Sequence, residues 1–162
     1  MDNSKKMKIS IIVIIIAIIL IDQITKFVAI NNNYTMGIVS FYYEVQEVTE
    51  KDEIISSLLT DIIVFIIVIK FFKEQNKNMN NKTRISLALI LGAGISNLID
   101  KIWNKDVIDF IHIGKLPVLN VAYIAFAIGW IAFLVLMVQN TMKTNKEMKK
   151  IKEKKSAIGR EK

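Results

Sequence analysis

Several ionisable and amide side chains interrupt stretches that are otherwise apolar, and their spacing limits what they can do. Asp22 and Lys26 stand four residues apart, Asn97 and Asp100 three apart, and Asn120 and Tyr123 three apart. In a helix each spacing places both members on one face. Asp61 interrupts a further apolar run, and Asp109 follows the run that holds Asp100. Two close carboxylates that share a proton can hydrolyse an amide: one activates water while the other protonates the scissile carbonyl. The same groups have a plainer use. Asp22 with Lys26, and Asn97 with Asn120, can tie helices together. The chain has no Cys and one His, His112, which excludes a thiol nucleophile, a disulfide framework and multi-ligand Cys or His metal sites. It has no Gly-rich phosphate loop, and no metal or cofactor is expected.

The elements that must hold these residues are long and apolar. Of 162 residues, 52% are apolar and 23% charged, and the mean hydropathy is +0.39. The two classes are segregated along the chain. Residues Ile9–Ile21 are apolar except for Ser10, whereas the last twenty residues hold nine Lys or Arg. A membrane-spanning helix needs about 20 mostly apolar residues. Four windows qualify: about 9–30, 54–72, 85–103 and 118–138. In lipid only helices and closed barrels satisfy the backbone, and the alternation of a barrel strand is missing. The expected fold is therefore an all-α integral membrane protein, a four-transmembrane-helix bundle (residues 1–141) with small outer loops and a Lys-rich tail (142–162). The first segment continues past Asp22 without a small-residue cleavage site and is read as retained.

Basic residues set the orientation. Lys5, Lys6 and Lys8 precede the first segment, five Lys or Arg surround the second-to-third connection, and nine lie in the tail. The other two connections are poor in Lys, and one carries the acidic stretch Glu44–Glu53. Both termini are expected in the cytoplasm of a bacterial cell whose membrane the chain crosses several times. The tail follows a membrane exit, so attraction to anionic lipid explains its net charge more simply than nucleic acid does.

On this topology Asp22, Asp61, Asp100, Asn120 and Tyr123 all fall in the outer third of the bilayer, at depths that agree within about 5 Å by helical rise. Ala93, Asn97 and Asp100 share a stripe, and Asn120, Tyr123 and Ala127 form a second one. Gly92 and Ser96 make a small-xxx-small pair that admits another helix. Convergence of several polar faces at one depth favours a site over simple helix pairing.

At these residues the chain resembles the signal peptidase II family, the lipoprotein signal peptidases. Asp22-Gln23-Ile24-Thr25-Lys26 is similar to that family's D-Q-x-S/T-K. Gly92–Lys101 (GAGISNLIDK) is similar to G-G-A-x-G-N-x-x-D-R, Val107–Ile111 (VIDFI) to V-x-D-F-I/L, and Leu119–Ala122 (LNVA) to the start of F-N-x-A-D. Asn31–Gly37 (NNNYTMG) is a weaker echo of N-x-G-A-A-F-G. The resemblance implies a four-helix membrane aspartic endopeptidase that removes signal peptides from lipid-modified prolipoproteins. It implies catalysis by the Asp of the third-helix motif, here Asp100, with the Asp that ends the fourth-helix motif. It implies supporting or substrate-binding roles for Asp22, Lys26, Asn31, Asn97, Asp109 and Asn120.

The departures bear on activity. Tyr123 stands where the second catalytic Asp belongs, and a phenol cannot serve as a carboxylate at neutral pH. Asp100 is then expected to accept a hydrogen bond from Tyr123. The segment after the first helix is short, which predicts loss of much of the family's small outer β platform. Asp61 has no counterpart in these motifs. It is a substitute for the missing acid, a partner of Lys26, a protonated hydrogen-bonding group, or a headgroup-level residue. His112 is expected to bond at the interface, Trp103 to anchor there, Trp130 to pack, and Phe41, Tyr42 and Tyr43 to lie at the outer surface. Three functions remain open: a peptidase impaired by Tyr123, a non-catalytic relative that binds lipidated or other transmembrane peptides, or an unrelated membrane scaffold.

Overall fold

A computed structural model of the chain describes residues 3–36, 38–43, 51–75 and 80–158. Most of the acidic stretch Glu44–Glu53, together with Gly37 and part of the polar linker Lys73–Lys82, lies outside the described residues. The elements run α1 (Asn3–Asn31), β1 (Tyr34–Met36), β2 (Val39–Phe41), α2 (Lys51–Gln75), α3 (Asn81–Asn104), β3 (Ile111–Ile113) and α4 (Val121–Ile158). Among the described residues, Lys5–Asn31, Asn81–Asn104 and Val121–Glu153 are long and apolar enough to cross a membrane. The chain is an integral membrane protein. Its α1 and α4 expose large apolar side chains such as Ile12, Ile16, Leu20, Ile131 and Leu134. An apolar band of this extent on several helices is a lipid-facing surface.

The helix nearest the centre is α3, which packs on α1, α2 and α4. Small residues set its distances. A Cβ on Gly92 would meet the Ile15 carbonyl of α1 at 3.1 Å, and Ser96 one turn on bonds to α1, so this pair is where α1 approaches. Ala93 packs with Ala122 and Ala125 of α4. In lipid, helix association relies on such close packing rather than on a hydrophobic driving force.

Two expectations are corrected. The fold is mostly helical rather than all-α, because a three-stranded antiparallel sheet of order β1-β2-β3 caps one end. Val39 pairs with Ile113 and Phe41 with Ile111, and Ile111 also bridges to Leu119. Its inner side packs Phe110 and Ile111 on Ala29 at the end of α1. Short β-branched and aromatic runs suffice for this platform despite the short connection. The fourth helix begins at Val121 rather than near 118, because Asn120 caps it: the Asn120 Oδ1 accepts the Tyr123 N–H at 2.8 Å. It then runs 38 residues to Ile158, with no Pro or Gly between Gly129 and Gly159 to stop it. This delayed start turns the expected Asn120–Tyr123–Ala127 stripe outward: Ala122, Ala125 and Gly129 face the bundle, while Tyr123 and Ala127 are exposed.

One close contact of α4 with α3 is at Gly129, where a Cβ would meet the Ser86 carbonyl and Ile90 Cγ1 at 2.9 Å. Gly129→Leu therefore forces the helices apart and should destabilise the protein by about 1–3 kcal/mol. Thermal unfolding in detergent measures this; an unchanged midpoint would contradict the packing.

Candidate functional site

The polar residues meet at the end of the bundle that carries the sheet. Asp22 and Lys26, one turn apart on α1, both face α3, and both are buried, as is Asp100. The Lys26 Nζ lies 2.5 Å from Asp22 Oδ2 and 2.6 Å from Asp100 Oδ2, and donates to Asn97 Oδ1 at 3.0 Å. Buried charges persist only when paired and hydrogen-bonded, and here every carboxyl oxygen is occupied. Asp22 Oδ2 accepts the Ser96 hydroxyl at 2.7 Å. Asp22 Oδ1 accepts the Ala122 N–H at 2.7 Å, one of the unpaired donors at the positive N-terminus of α4. Asp100 Oδ1 accepts Gln23 Nε2 at 2.9 Å. Asp100 Oδ2 accepts the Ile108 N–H at 3.1 Å. That last bond exists because α3 ends in a left-handed Lys105, which turns the chain back on the helix.

A second group sits on this hub. The Asn120 Nδ2 donates to Asn97 Oδ1 at 3.0 Å and to Asp109 Oδ1 at 2.8 Å. Asp109 is half-buried in the loop just before Phe110 and Ile111, which the sheet pins to α1. Burial pushes the Asp109 carboxyl up to about 6; Lys26 and the Asn120 amide oppose the rise, while Asp106 and Asp100 add to it. Tyr123 is 38% exposed on the open side. Four carboxylates act on its phenol, Asp109 most strongly, then Asp61, Asp106 and Asp100.

The structure thus brings together Asp22, Lys26, Asn97, Asp100, Asp109 and Asn120. It does not join Tyr123 to Asp100: among the described residues no hydrogen bond links them, because both Asp100 oxygens are already engaged. Nor does it bring Asp61 to Lys26 or Asp100. Lys26 is occupied, and Asp61 Oδ2 instead pairs with Lys101 Nζ at 2.6 Å. Asn31 stays apart, exposed at the end of α1, its Nδ2 donating to the Phe27 carbonyl at 2.7 Å. His112 stacks on Tyr42 with ring centroids 3.9 Å apart, and its Nε2 lies 3.1 Å from the Tyr42 carbonyl. Gln23 and Ser96 are members that the spacing argument missed. Gln23 adjoins Asp22 in sequence, and Ser96 is the small residue beside the Asn97 stripe, so each was visible only as a neighbour.

A membrane-embedded bundle with a buried Lys–Asp–Asp hub and a half-open Asp beside it defines a class of membrane protein. A model of the signal peptidase (SPase) II family matches residues 14–139, and the chain belongs to that family. Its fold is similar to that of two bacterial membrane enzymes determined by the in meso method. One, at 2.3 Å resolution, is 20% identical, with a TM-score of 0.69 over 82% of this chain and 89% of that chain. The other, at 1.9 Å, is 18% identical, with a TM-score of 0.67 over 79% of this chain and 92% of that chain. Membership excludes the unrelated scaffold and implies lipoprotein substrates in a membrane.

The pKa of Asp109 carries a testable consequence. Folding raises it from 3.8 to about 6, so the folded chain holds this proton more tightly than the unfolded one. Its contribution to stability is greatest below about pH 4 and declines as pH rises to about 6. The unfolding midpoint of the native protein minus that of Asp109→Asn should therefore fall across this window and level off above it. A constant difference would contradict the assignment.

Proposed function

We propose that this protein is a signal peptidase II-like membrane protein of the bacterial cytoplasmic membrane, crossing it four times with both termini inside. Its sheet-capped end then faces outward and receives the cleavage junction of a lipid-modified prolipoprotein. The Lys distribution supports this orientation, and the 25-residue α2 supplies the fourth span.

The acid we assign to the chemistry is Asp109 rather than Asp100. The observation that carries this reading is the contrast between them: Asp100 is buried with both oxygens engaged, whereas Asp109 is half-open, with its carboxyl raised to about 6. Asp109 takes a proton from water as the water oxygen attacks the scissile carbonyl carbon. It then gives that proton to the leaving amide nitrogen, so that one water is consumed and an acid and an amine form. Tyr123 donates a hydrogen bond to the carbonyl oxygen but cannot share a proton as a second carboxylate does. Asp61 is neutralised by Lys101 and receives no catalytic role. Hydrolysis is accordingly slow. A second reading, binding of lipidated or transmembrane peptides without cleavage, is favoured by the same Tyr123.

A gel-shift cleavage assay on a lipidated prolipoprotein tests this. The native protein should cleave poorly, and Tyr123→Asp should raise the rate on the order of 10²-fold or more, the usual worth of a positioned acid or base. Fast native cleavage that Tyr123→Asp does not improve would contradict the impaired-peptidase reading. Retention of uncleaved substrate by the native protein would favour the binding reading.

A further inference from the structure

The opposite end of the bundle holds a feature that peptide cleavage does not use. Beyond the Gly129 contact, toward the start of α3, a groove of about 380 Å³ opens between α3 and α4. Ile85, Leu89, Val135 and Leu136 line it, and Lys82 and Gln139 stand among its polar members. Lys82 lies in the first turn of α3, which contains no acidic residue. On α4 the lining residues Ala132, Val135 and Gln139 recur at three- and four-residue spacing. Continued along the helix, that stripe carries Lys143, Lys146 and Lys150, all exposed. Because α4 continues unbroken to Ile158, these lysines stay in line with the groove rather than dispersing into a coil. Lys143 follows Gln139 by one turn, about 6 Å along the axis.

An apolar slot with a cationic rim fits one chemistry, an amphiphile with an anionic head. We propose that this groove is a binding site for an anionic phospholipid, with one acyl chain between α3 and α4 and the phosphate against Lys82 and Lys143. A zwitterionic lipid would fill the slot without an unbalanced charge for the lysines. A free phosphate would meet the lysines and leave the slot empty. Nucleic acid or an acidic protein would use the lysine stripe alone. Basic pockets between membrane helices are known to favour anionic headgroups on this principle. The site is separate from the Asp109 region, and its test reads lipid retention rather than cleavage, so either proposal can fail alone.

Native mass spectrometry of the full-length protein, released from detergent micelles holding equal phosphatidylglycerol and phosphatidylcholine, tests it. One phosphatidylglycerol should be retained in clear excess over phosphatidylcholine. Lys82→Gln and Lys143→Gln should each lower that preference about fivefold. Ala132→Trp, which fills the slot and leaves the rim intact, should lower retention of both lipids, and Val135→Phe provides the same test from a neighbouring position. Equal retention of the two lipids by the native protein would overturn the proposal. So would phosphatidylglycerol retention that is undiminished in both slot-filling variants, which would mark surface attraction only. Displacement of the lipid by inorganic phosphate would also overturn it, as that would mark an ion site without an acyl-chain requirement.

Discussion

The Lys26 ammonium, buried between the carboxylates of Asp22 and Asp100, is the interaction on which the rest of this structure depends. One cation holds two acids, and the remaining negative charge is met by donors from three directions. These are the Ser96 hydroxyl of α3, the Gln23 amide of α1 and the Ala122 N–H at the start of α4. In a bilayer no water replaces a lost partner, and removing one member of a buried pair costs about 3–5 kcal/mol. The hub therefore fixes α1, α3 and the start of α4 in a single relative placement. The Ile108 N–H bound to Asp100 extends that constraint to the loop after α3.

Placement of Asp109 follows from two anchors on either side of it. Before it, Ile108 is tied to the hub; after it, Phe110 and Ile111 are packed on Ala29 and paired with β2. Asn120 completes the arrangement by serving four partners at once: it caps α4 through Tyr123 N–H and donates to Asn97, Asp109 and the Ile108 carbonyl. A carboxyl held this firmly and half-withdrawn from water has the environment that suits a general acid or base. Asp100 has the reverse environment. Substituting Asn for Asp100 turns one acceptor into an NH2 group facing either Gln23 Nε2 or the Lys26 and Ile108 donors, a conflict that is structural in origin.

Much of the fold was legible in the sequence because lipid leaves the backbone few options: long apolar runs must be helices, and their polar interruptions must find each other. Asp22 with Lys26 and Asn97 with Asn120 follow from this. The different surroundings of the two acids were not legible, because Asp100 and Asp109 are told apart only by the left-handed turn at Lys105 and the return of Ile108 to α3. The outward turn of Tyr123 was hidden for a similar reason. Taking 118–120 as helix instead of reading Asn120 as the cap rotates every later residue's expected face. The sheet was missed because three-residue strands carry almost no periodic signal, and Asp61 was left open because its partner, Lys101, lies one residue round α3 from the predicted stripe.

Single-turnover cleavage of lipidated prolipoprotein, with the thermal midpoint of each variant, tests most directly whether the chemistry lies at Asp109 and the architecture at Asp100. The comparison is made in the Tyr123→Asp background, adding either Asp109→Asn or Asp100→Asn. The account predicts that Asp109→Asn abolishes cleavage without lowering the midpoint, and that Asp100→Asn lowers the midpoint by the equivalent of about 1–3 kcal/mol. Cleavage that persists in Asp109→Asn, or that is lost in Asp100→Asn while its midpoint is undiminished, would contradict it.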